Sequence, residues 1–387
     1  MVPFIFRSGD LTSTTSWSRG ITVATLLFGF LVGVKALGEG FQLLGEATLD
    51  QIFSATTNPY ISLVVGILAT TIMQSSSVTT SMIVGLVAAP ESPLPLANAV
   101  PMIMGANIGT TVTATVVSLA HIGRSNEFER AFPIAVCHDL FNYLTVAVLL
   151  PLELLTGYLR RAAIAMSRFM VDVGGVDYES PIATAIAAVL ALIEQVFQLL
   201  FVSVRVQGMG LIVFGGVVIF VTLFFIVKVM RSLVRTRIER MVSEVLGSNA
   251  IFSILVGIVV TAMVQSSSIT TSLLVPLGAA GLLRLEQALP ITIGANVGTT
   301  VTALFAALAG SGANRIFGLE IAMVHLLFNL TGLVLIYPFS VTRNIPLRLA
   351  RFLTTLALRS PRLTLFWVIA LFYGVPTLLL VVDRAIG

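Results

Sequence analysis

Apolar residues along this chain come in long, nearly unbroken runs, with polar and charged residues gathered between them. Runs such as Ile21 to Leu37, Leu211 to Val227 and Leu363 to Val381 are long enough, at about 1.5 Å of rise per residue, to cross a hydrocarbon layer roughly 30 Å thick as helices. A transmembrane barrel would instead show short strands alternating in polarity. The pattern therefore predicts an all-α polytopic membrane protein with about seven spanning helices. The first run is expected to stay as a span rather than act as a cleaved leader, because many similar runs follow it and no small-residue cleavage pattern stands out.

The runs are duplicated. Gly66 to Ala89 reads GILATTIMQSSSVTTSMIVGLVAA and Gly257 to Ala280 reads GIVVTAMVQSSSITTSLLVPLGAA. Next, GANIGTTVTA at Gly105 to Ala114 recurs as GANVGTTVTA at Gly294 to Ala303. Then HDLFN at His138 to Asn142 is echoed by HLLFN at His325 to Asn329, and Val34-Lys35 of the leading helix by Val227-Lys228. An internal repeat of this kind governs the fold. Each copy is expected to hold a spanning helix, a re-entrant helical hairpin broken at QSSS, a spanning helix carrying GANxGTT and another carrying HxxFN.

Charge sets the expected orientation, since arginine and lysine concentrate in cytoplasmic loops. With Arg7 and Arg19 inside, Arg124 and Arg130 fall inside after Ala97 to Ala120. The cluster Lys228, Arg231, Arg235, Arg237 and Arg240 follows suit, as do Arg343, Arg348, Arg351, Arg359 and Arg362. Arg160, Arg161 and Arg168 fall outside and do not fit. The count requires Ile182 to Val204, with Glu194, Gln195 and Gln198, to lie along the outer surface. The two copies then have opposite orientations, the inverted-repeat plan of secondary transporters. The expected division is a cytoplasmic segment 1–19, repeat 1 at 20–152, an outer connecting segment 153–208 with an amphipathic helix, inverted repeat 2 at 209–342, and a basic cytoplasmic segment with a final span at 343–387. The N-terminus is expected in the cytoplasm and the C-terminus outside the cell (inner or plasma) membrane.

Composition agrees: 57% of the 387 residues are hydrophobic, 10% are charged and the mean hydropathy is +1.01, against about 25% charged in soluble domains. The net charge of +4 lies in short basic clusters between spans, so it reports orientation and not a nucleic-acid partner. The single cysteine, Cys137, sits in an apolar run, which leaves no intrachain disulfide and reads as a small buried hydrophobe.

Candidate chemistry lies at the duplicated polar stretches. Three successive serines are poor helix interior and good helix starts, so QSSS marks a break. Within a bilayer a break is tolerated only where it is covered by protein or lines a cavity. A helix start carries free amides and a partial positive charge suited to an anion. The neutral oxygens of Gln74, Gln265 and the threonines at 110, 111, 113, 299, 300 and 302 suit sodium without the cost of burying a carboxylate. GANxGTT adds a flexible glycine and an amide, Asn107 or Asn296, where unwound carbonyls would complete the coordination. His138 with Asn142 and His325 with Asn329 share a helical face, and they read as ties between helices. Asp139 stands opposite Leu326, and Glu39, Glu46, Glu194 and Glu320 are likewise unmatched. No duplicated carboxylate serves a proton relay, which favours sodium coupling.

With QSSS, GANxGTT and HxxFN in duplicate, the chain resembles the type II sodium-dependent phosphate cotransporter family. The likeness extends through FQLLG, NPYISLVVGILATTIMQSSS, RAFPIAVCHDLFNYLTVAVLLPLE and HLLFNLTGLVLIYPFSVTRNIPLRLAR. The resemblance implies import of inorganic phosphate driven by several sodium ions, with the lipid bilayer as surroundings and no organic cofactor. By the same likeness Gln74, Ser75, Ser76, Ser77, Ser266, Ser267 and Ser268 form a phosphate cradle. Gln265, Ser266, Thr299 and Thr302 form a sodium site, Thr110 and Thr113 part of another, with Asn107 and Asn296 among the sodium ligands. Animal members carry a disulfide-bonded outer loop between the repeats and a long cytoplasmic tail. Here Leu155 to Gln207 has no cysteine, so a compact bacterial-type member is expected.

Other readings meet the same residues. The same machine could carry sulfate, arsenate or a carboxylate, since hydroxyls and amides recognise oxyanions generally. A serine-nucleophile membrane enzyme would need an activating base and an elbow such as GxSxG, which the sequence lacks. A channel is disfavoured by the broken-helix plan.

Overall fold

The computed structural model describes residues 12–44, 56–89, 94–174, 181–245, 249–308 and 314–386. Arg7 and most of the expected N-terminal segment lie outside these, as do the side chains of Arg19, Arg231, Arg235, Arg237 and Arg240. Regular structure among the described residues is helical. Among the described residues seven segments are long and apolar enough to cross a membrane: Gly20–Leu43, Leu96–Leu119, Ser125–Thr156, Val204–Val229, Leu285–Ala307, Arg315–Ile336 and Thr364–Asp383.

In the first half α1 (Thr12–Leu43) leads to α2 (Pro59–Met73) and α3 (Ser76–Val87), then α4 (Leu96–Gly109), α5 (Val112–Leu119), α6 (Ser125–Thr156) and α7 (Tyr158–Gly174). Helix α8 (Pro181–Leu200) bridges to the second half. There α9 (Val204–Val245) leads to α10 (Ala250–Val264), α11 (Ser267–Ala279), α12 (Leu285–Ala307), α13 (Arg315–Ile336) and α14 (Ser340–Arg359). The chain closes with α15 (Pro361–Ile369), a π-helical turn at Ala370–Gly374 and α16 (Val375–Ile386). Helix starts are written alike in both halves. Asn58 Oδ1 accepts from Tyr60 N at 3.0 Å ahead of α2, and Asn249 Oδ1 accepts from Phe252 N at 2.9 Å ahead of α10, satisfying amides that a helix start leaves free.

The halves embrace each other. Helix α1 packs along α9, α14 lies on α6, and α7 lies on α13. Along the first pair Gly29 meets Thr222, Gly33 meets Gly215 and Val218, and Gly40 meets Gly208 and Ile212. Numbers rise on one helix as they fall on the other, so the leading helices run antiparallel. Between α2 and α4 the order is the same on both: Gly105 lies against Leu63 and Ile67, and Gly109 against Ile67 and Thr70. Helix α3 runs the other way along α4, since its first residue Ser76 meets Thr110 while Leu94 N reaches back to Leu86 O. In the second half α10 and α12 repeat the parallel crossing, with Gly294 on Ile254 and Gly298 on Ile258 and Thr261.

One expectation needs correction. The GANxGTT segments were to be unwound. The first is interrupted only locally between α4 and α5, where Thr110 and Thr111 keep right-handed helical backbone, and the second runs through α12 without interruption. The copies differ at one hydroxyl. Thr111 Oγ1 and Thr300 Oγ1 both donate back to their own helix, to Ile108 O at 2.8 Å and Val297 O at 2.7 Å, and Thr299 Oγ1 donates back to Ala295 O at 3.0 Å. Thr110 Oγ1 is instead drawn away to Ser76 Oγ at 2.9 Å.

One core runs through both halves, with Phe30, Ile103 and Phe328 fully buried in it. The α2/α4 and α10/α12 crossings are so close that a methyl on Gly66 would lie 2.1 Å from Met102 O, and one on Gly257 2.1 Å from Ile291 O. Helices in lipid associate through such small-residue contacts. Gly66→Ala and Gly257→Ala are therefore expected to cost at least about 1–3 kcal/mol each by overpacking. Gly123→Ala, where nothing lies within 4 Å, should change the thermal unfolding midpoint in detergent little; equal midpoints for all three variants would contradict the close crossing.

Candidate functional site

Both QSSS stretches break their helices in the same way. Gln74 (φ 52°, ψ 25°) ends α2 and Gln265 (φ 58°, ψ 27°) ends α10, each in the left-handed region. They are the only non-glycine residues at positive φ among the described residues. Ser75 and Ser266 follow in extended conformation and cap α3 and α11, their Oγ accepting from Val78 N at 3.3 Å and Ile269 N at 3.4 Å. The glutamine amides fold back identically, Gln74 Nε2 donating to Thr71 O at 2.6 Å and Gln265 Nε2 to Ala262 O at 2.5 Å. That leaves each Oε1 free to accept from a threonine of its own GANxGTT segment. Thr113 Oγ1 donates to Gln74 Oε1 at 3.1 Å and Thr302 Oγ1 to Gln265 Oε1 at 2.7 Å.

The two breaks meet. A cavity of about 650 Å³ is lined by Gln74, Ser75 and Thr113 from one half and by Gln265, Ser266 and Ser268 from the other. Among the described residues no charged side chain lines it, and apolar residues of α9, Phe220, Leu223, Phe224 and Val227, form one wall. Ser76, Ser77, Ser267, Thr110, Thr299, Thr302, Asn107 and Asn296 are not on this wall. They lie buried around it. Ser77 crosses between the halves, its Oγ donating to Gln265 O at 3.2 Å and standing 3.4 Å from Thr302 Oγ1. Gln265 Oε1 and backbone O, Thr302 Oγ1 and Ser77 Oγ thus form a compact, buried set of neutral oxygens. Thr299, counted with that set from the sequence, is occupied with Ala295 O instead.

The halves are not in the same state. Gln74 is exposed whereas Gln265 is buried. Ser81 Oγ donates to Ser77 O at 2.6 Å, but its counterpart Ser272 lines the cavity with Oγ unpartnered. Below the cavity, His138 Nε2 donates to Asn296 Oδ1 at 2.7 Å, Asn296 Nδ2 to Asn142 Oδ1 at 2.7 Å, and Asn142 Nδ2 to Asn107 O at 2.7 Å. The first histidine–asparagine pair is therefore the inter-helix tie expected of it. The second pair is not: both ring nitrogens of His325 and Oδ1 of Asn329 have no partner. Asp139 is buried, with Oδ2 accepting from Thr115 Oγ1 at 2.9 Å and Oδ1 unpartnered.

Sequence reasoning missed Thr270, Ser272 and the α9 wall. Thr270 and Ser272 were legible in principle, since ITTS continues the polar stretch of the second break. The phenylalanines were not, because a ring facing lipid and one facing a cavity occupy the same kind of apolar run.

The Na+/Pi-cotransporter family model matches residues 30–176 and 218–358, covering both halves and both breaks. The chain belongs to the Na+/Pi-cotransporter family. This cotransporter chain is 31% identical to rat sodium-dependent phosphate transport protein 2A over 93% of its own length and 67% of the relative's. For the mouse 2A protein identity is 32%, over 93% of this chain and 67% of the relative. For human sodium-dependent phosphate transport protein 2B it is 29%, over 92% and 65%. The chain spans about two thirds of the length of these relatives. No solved structure matches it significantly.

The left-handed glutamines give a direct test of the break. A β-branched residue is poorly tolerated there and glycine is at ease. Gln265→Gly is expected to unfold at a higher temperature than Gln265→Val, a gap of about 1–2 kcal/mol, with the same order at Gln74; the reverse order would contradict the left-handed break.

Proposed function

We propose that this cotransporter chain imports inorganic phosphate with sodium ions by alternating access across the cell membrane, through one site shared by two inverted halves. The observation that carries the reading is the meeting of two serine-capped helix starts at one cavity that no charged side chain lines among the described residues. Helix α3 has 12 residues and α11 has 13, enough for the amides and macrodipole at each start to attract an anion. Phosphate then needs no arginine in the membrane core. Gln74, Ser75, Ser266 and Ser268 face the anion, while Ser76, Ser77 and Ser267 supply first-turn amides and support.

Sodium takes the neutral oxygens. Gln265 Oε1, Gln265 O, Thr302 Oγ1 and Ser77 Oγ offer the kind of set a hard cation accepts; Gln74 with Thr113 is its counterpart in the other half, and Thr110 with Ser76 adds two more hydroxyls at that break. Ser77 joins that set to α3, whose start faces the anion, so cation and phosphate stabilise one another's binding. This is coupling expressed as reciprocal affinity.

The contact orders support the transport plan. Helix α3 antiparallel to α4 while α2 is parallel to it is the arrangement of a hairpin that enters and leaves on one side. Antiparallel α1 and α9 agree with halves of opposite orientation. In this plan repeat 1 covers 20–152 and repeat 2 covers 209–342, with the N-terminus cytoplasmic and the C-terminus outside. Relatives named for sodium-dependent phosphate transport agree with the cargo.

Proteoliposomes given an inward sodium gradient are expected to accumulate labelled phosphate, and not to do so with a potassium or pH gradient alone. Gln74→Ala and Gln265→Ala should abolish the uptake. Absence of sodium-dependent uptake by monodisperse wild-type protein would overturn the proposal. Thr302→Val, which keeps the shape and removes the hydroxyl, is expected to raise the half-saturating sodium concentration about tenfold, the worth of one buried hydrogen-bonding group. An unchanged value would take Thr302 out of the sodium set.

A further inference from the structure

The polar tie between the halves is formed on one side only, although the sequence writes it twice. Asn296 of α12 is gripped by His138 and Asn142 of the other half at 2.7 Å each. Its counterpart Asn107 is turned onto its own helix, Nδ2 donating to Ile103 O at 2.8 Å. The residues written to grip Asn107 are His325 and Asn329, and they are idle. His325 is 0% exposed with neither ring nitrogen partnered, and Asn329 is 1% exposed with Oδ1 unpartnered and Nδ2 bonded only to His325 O at 3.0 Å. Buried polar groups without partners are uncommon and costly in a settled structure. Around the cavity the imbalance has the same sense. Ser77 reaches across to Gln265 O and Gln265 is buried, while Ser268 lines the cavity and Gln74 is exposed.

We infer that His325 and Asn329 are positioning residues of an exchangeable lock: in the opposite access state His325 grips Asn107, Asn107 donates to Asn329 Oδ1, and the His138–Asn296–Asn142 tie opens. The inference rests on the inverted-halves reading above. One tie is made as the other is broken, so the two states carry equal numbers of buried bonds and neither becomes a trap. A two-state element of this kind lets small changes at the ligand select one of two discrete arrangements.

The test uses the full chain with Cys137→Ser, which removes its single cysteine, in sealed proteoliposomes of defined orientation. Val117→Cys reports the side open here, because Val117 lines the cavity. Ala306→Cys reports the matching position of α12, which is 0% exposed in this state. A membrane-impermeant maleimide is applied to each face in turn. His325→Ala removes the lock of the unseen state, so labelling at Val117→Cys is expected to rise and that at Ala306→Cys to fall by roughly five- to tenfold, the ratio expected for one buried hydrogen bond. His138→Ala should shift both the other way, and His138→Ala with His325→Ala together should restore the wild-type ratio. Asn329→Ala, a smaller change, should repeat the His325→Ala result and serves where that variant fails to fold. Reporters that react from opposite faces but show no opposed shift would overturn the lock and leave the inverted plan standing. Reporters that both react from the same face would overturn the inverted plan and the lock with it. Because the readout is accessibility, it does not depend on which anion is carried.

Discussion

A broken helix leaves amides and carbonyls that must find new partners, and the rest of this structure follows from breaking two. At Gln74–Ser75 and Gln265–Ser266 the chain leaves the helix through a left-handed glutamine and re-enters it through a serine cap. The exposed groups are then covered in a fixed order. The glutamine amide folds back on its own helix, its carbonyl oxygen takes a threonine from the neighbouring helix, and the remaining free surface faces the break from the other half. In the proposed reading, what covers the backbone is also what binds the solute.

That solution demands close packing. The threonines reach the glutamines only because α4 and α12 lie against α2 and α10 at glycine, with carbonyls where side chains would otherwise stand. GANxG therefore serves packing through its glycines and chemistry through its threonines. Its asparagines do a third task, since Asn296 is the point where one half holds the other. In the proposed mechanism, cooperation between cavity and polar tie lets a change at the ligand be felt between the halves.

Much of this was legible beforehand. The apolar runs pointed to a helical membrane protein, and the duplication located each break to the four residues of QSSS, because three serines after a glutamine have few stable places in a buried helix. The caps followed from serine's preference for helix starts. The asymmetry was beyond reach: QSSS is identical in both copies, and no local pattern distinguishes the copy whose glutamine is buried from the one whose glutamine is exposed. Also hidden was which partner a threonine hydroxyl takes, since Thr110 turns to a serine of another helix and Thr299 to its own. The α9 wall escaped for a plainer reason, that an apolar run records burial from water without saying which side faces a cavity.

The central claim is that the two breaks form one site in which sodium and phosphate support each other's binding. The most direct measurement is the thermal unfolding midpoint of purified protein in detergent, with phosphate added in sodium and, separately, in potassium at equal ionic strength. A ligand bound by the folded state raises the midpoint in proportion to its occupancy. The account predicts a phosphate-dependent rise in sodium that is absent in potassium and absent when either break is altered alone. Equal stabilisation by phosphate in both salts, or a rise that survives loss of one break, would contradict it.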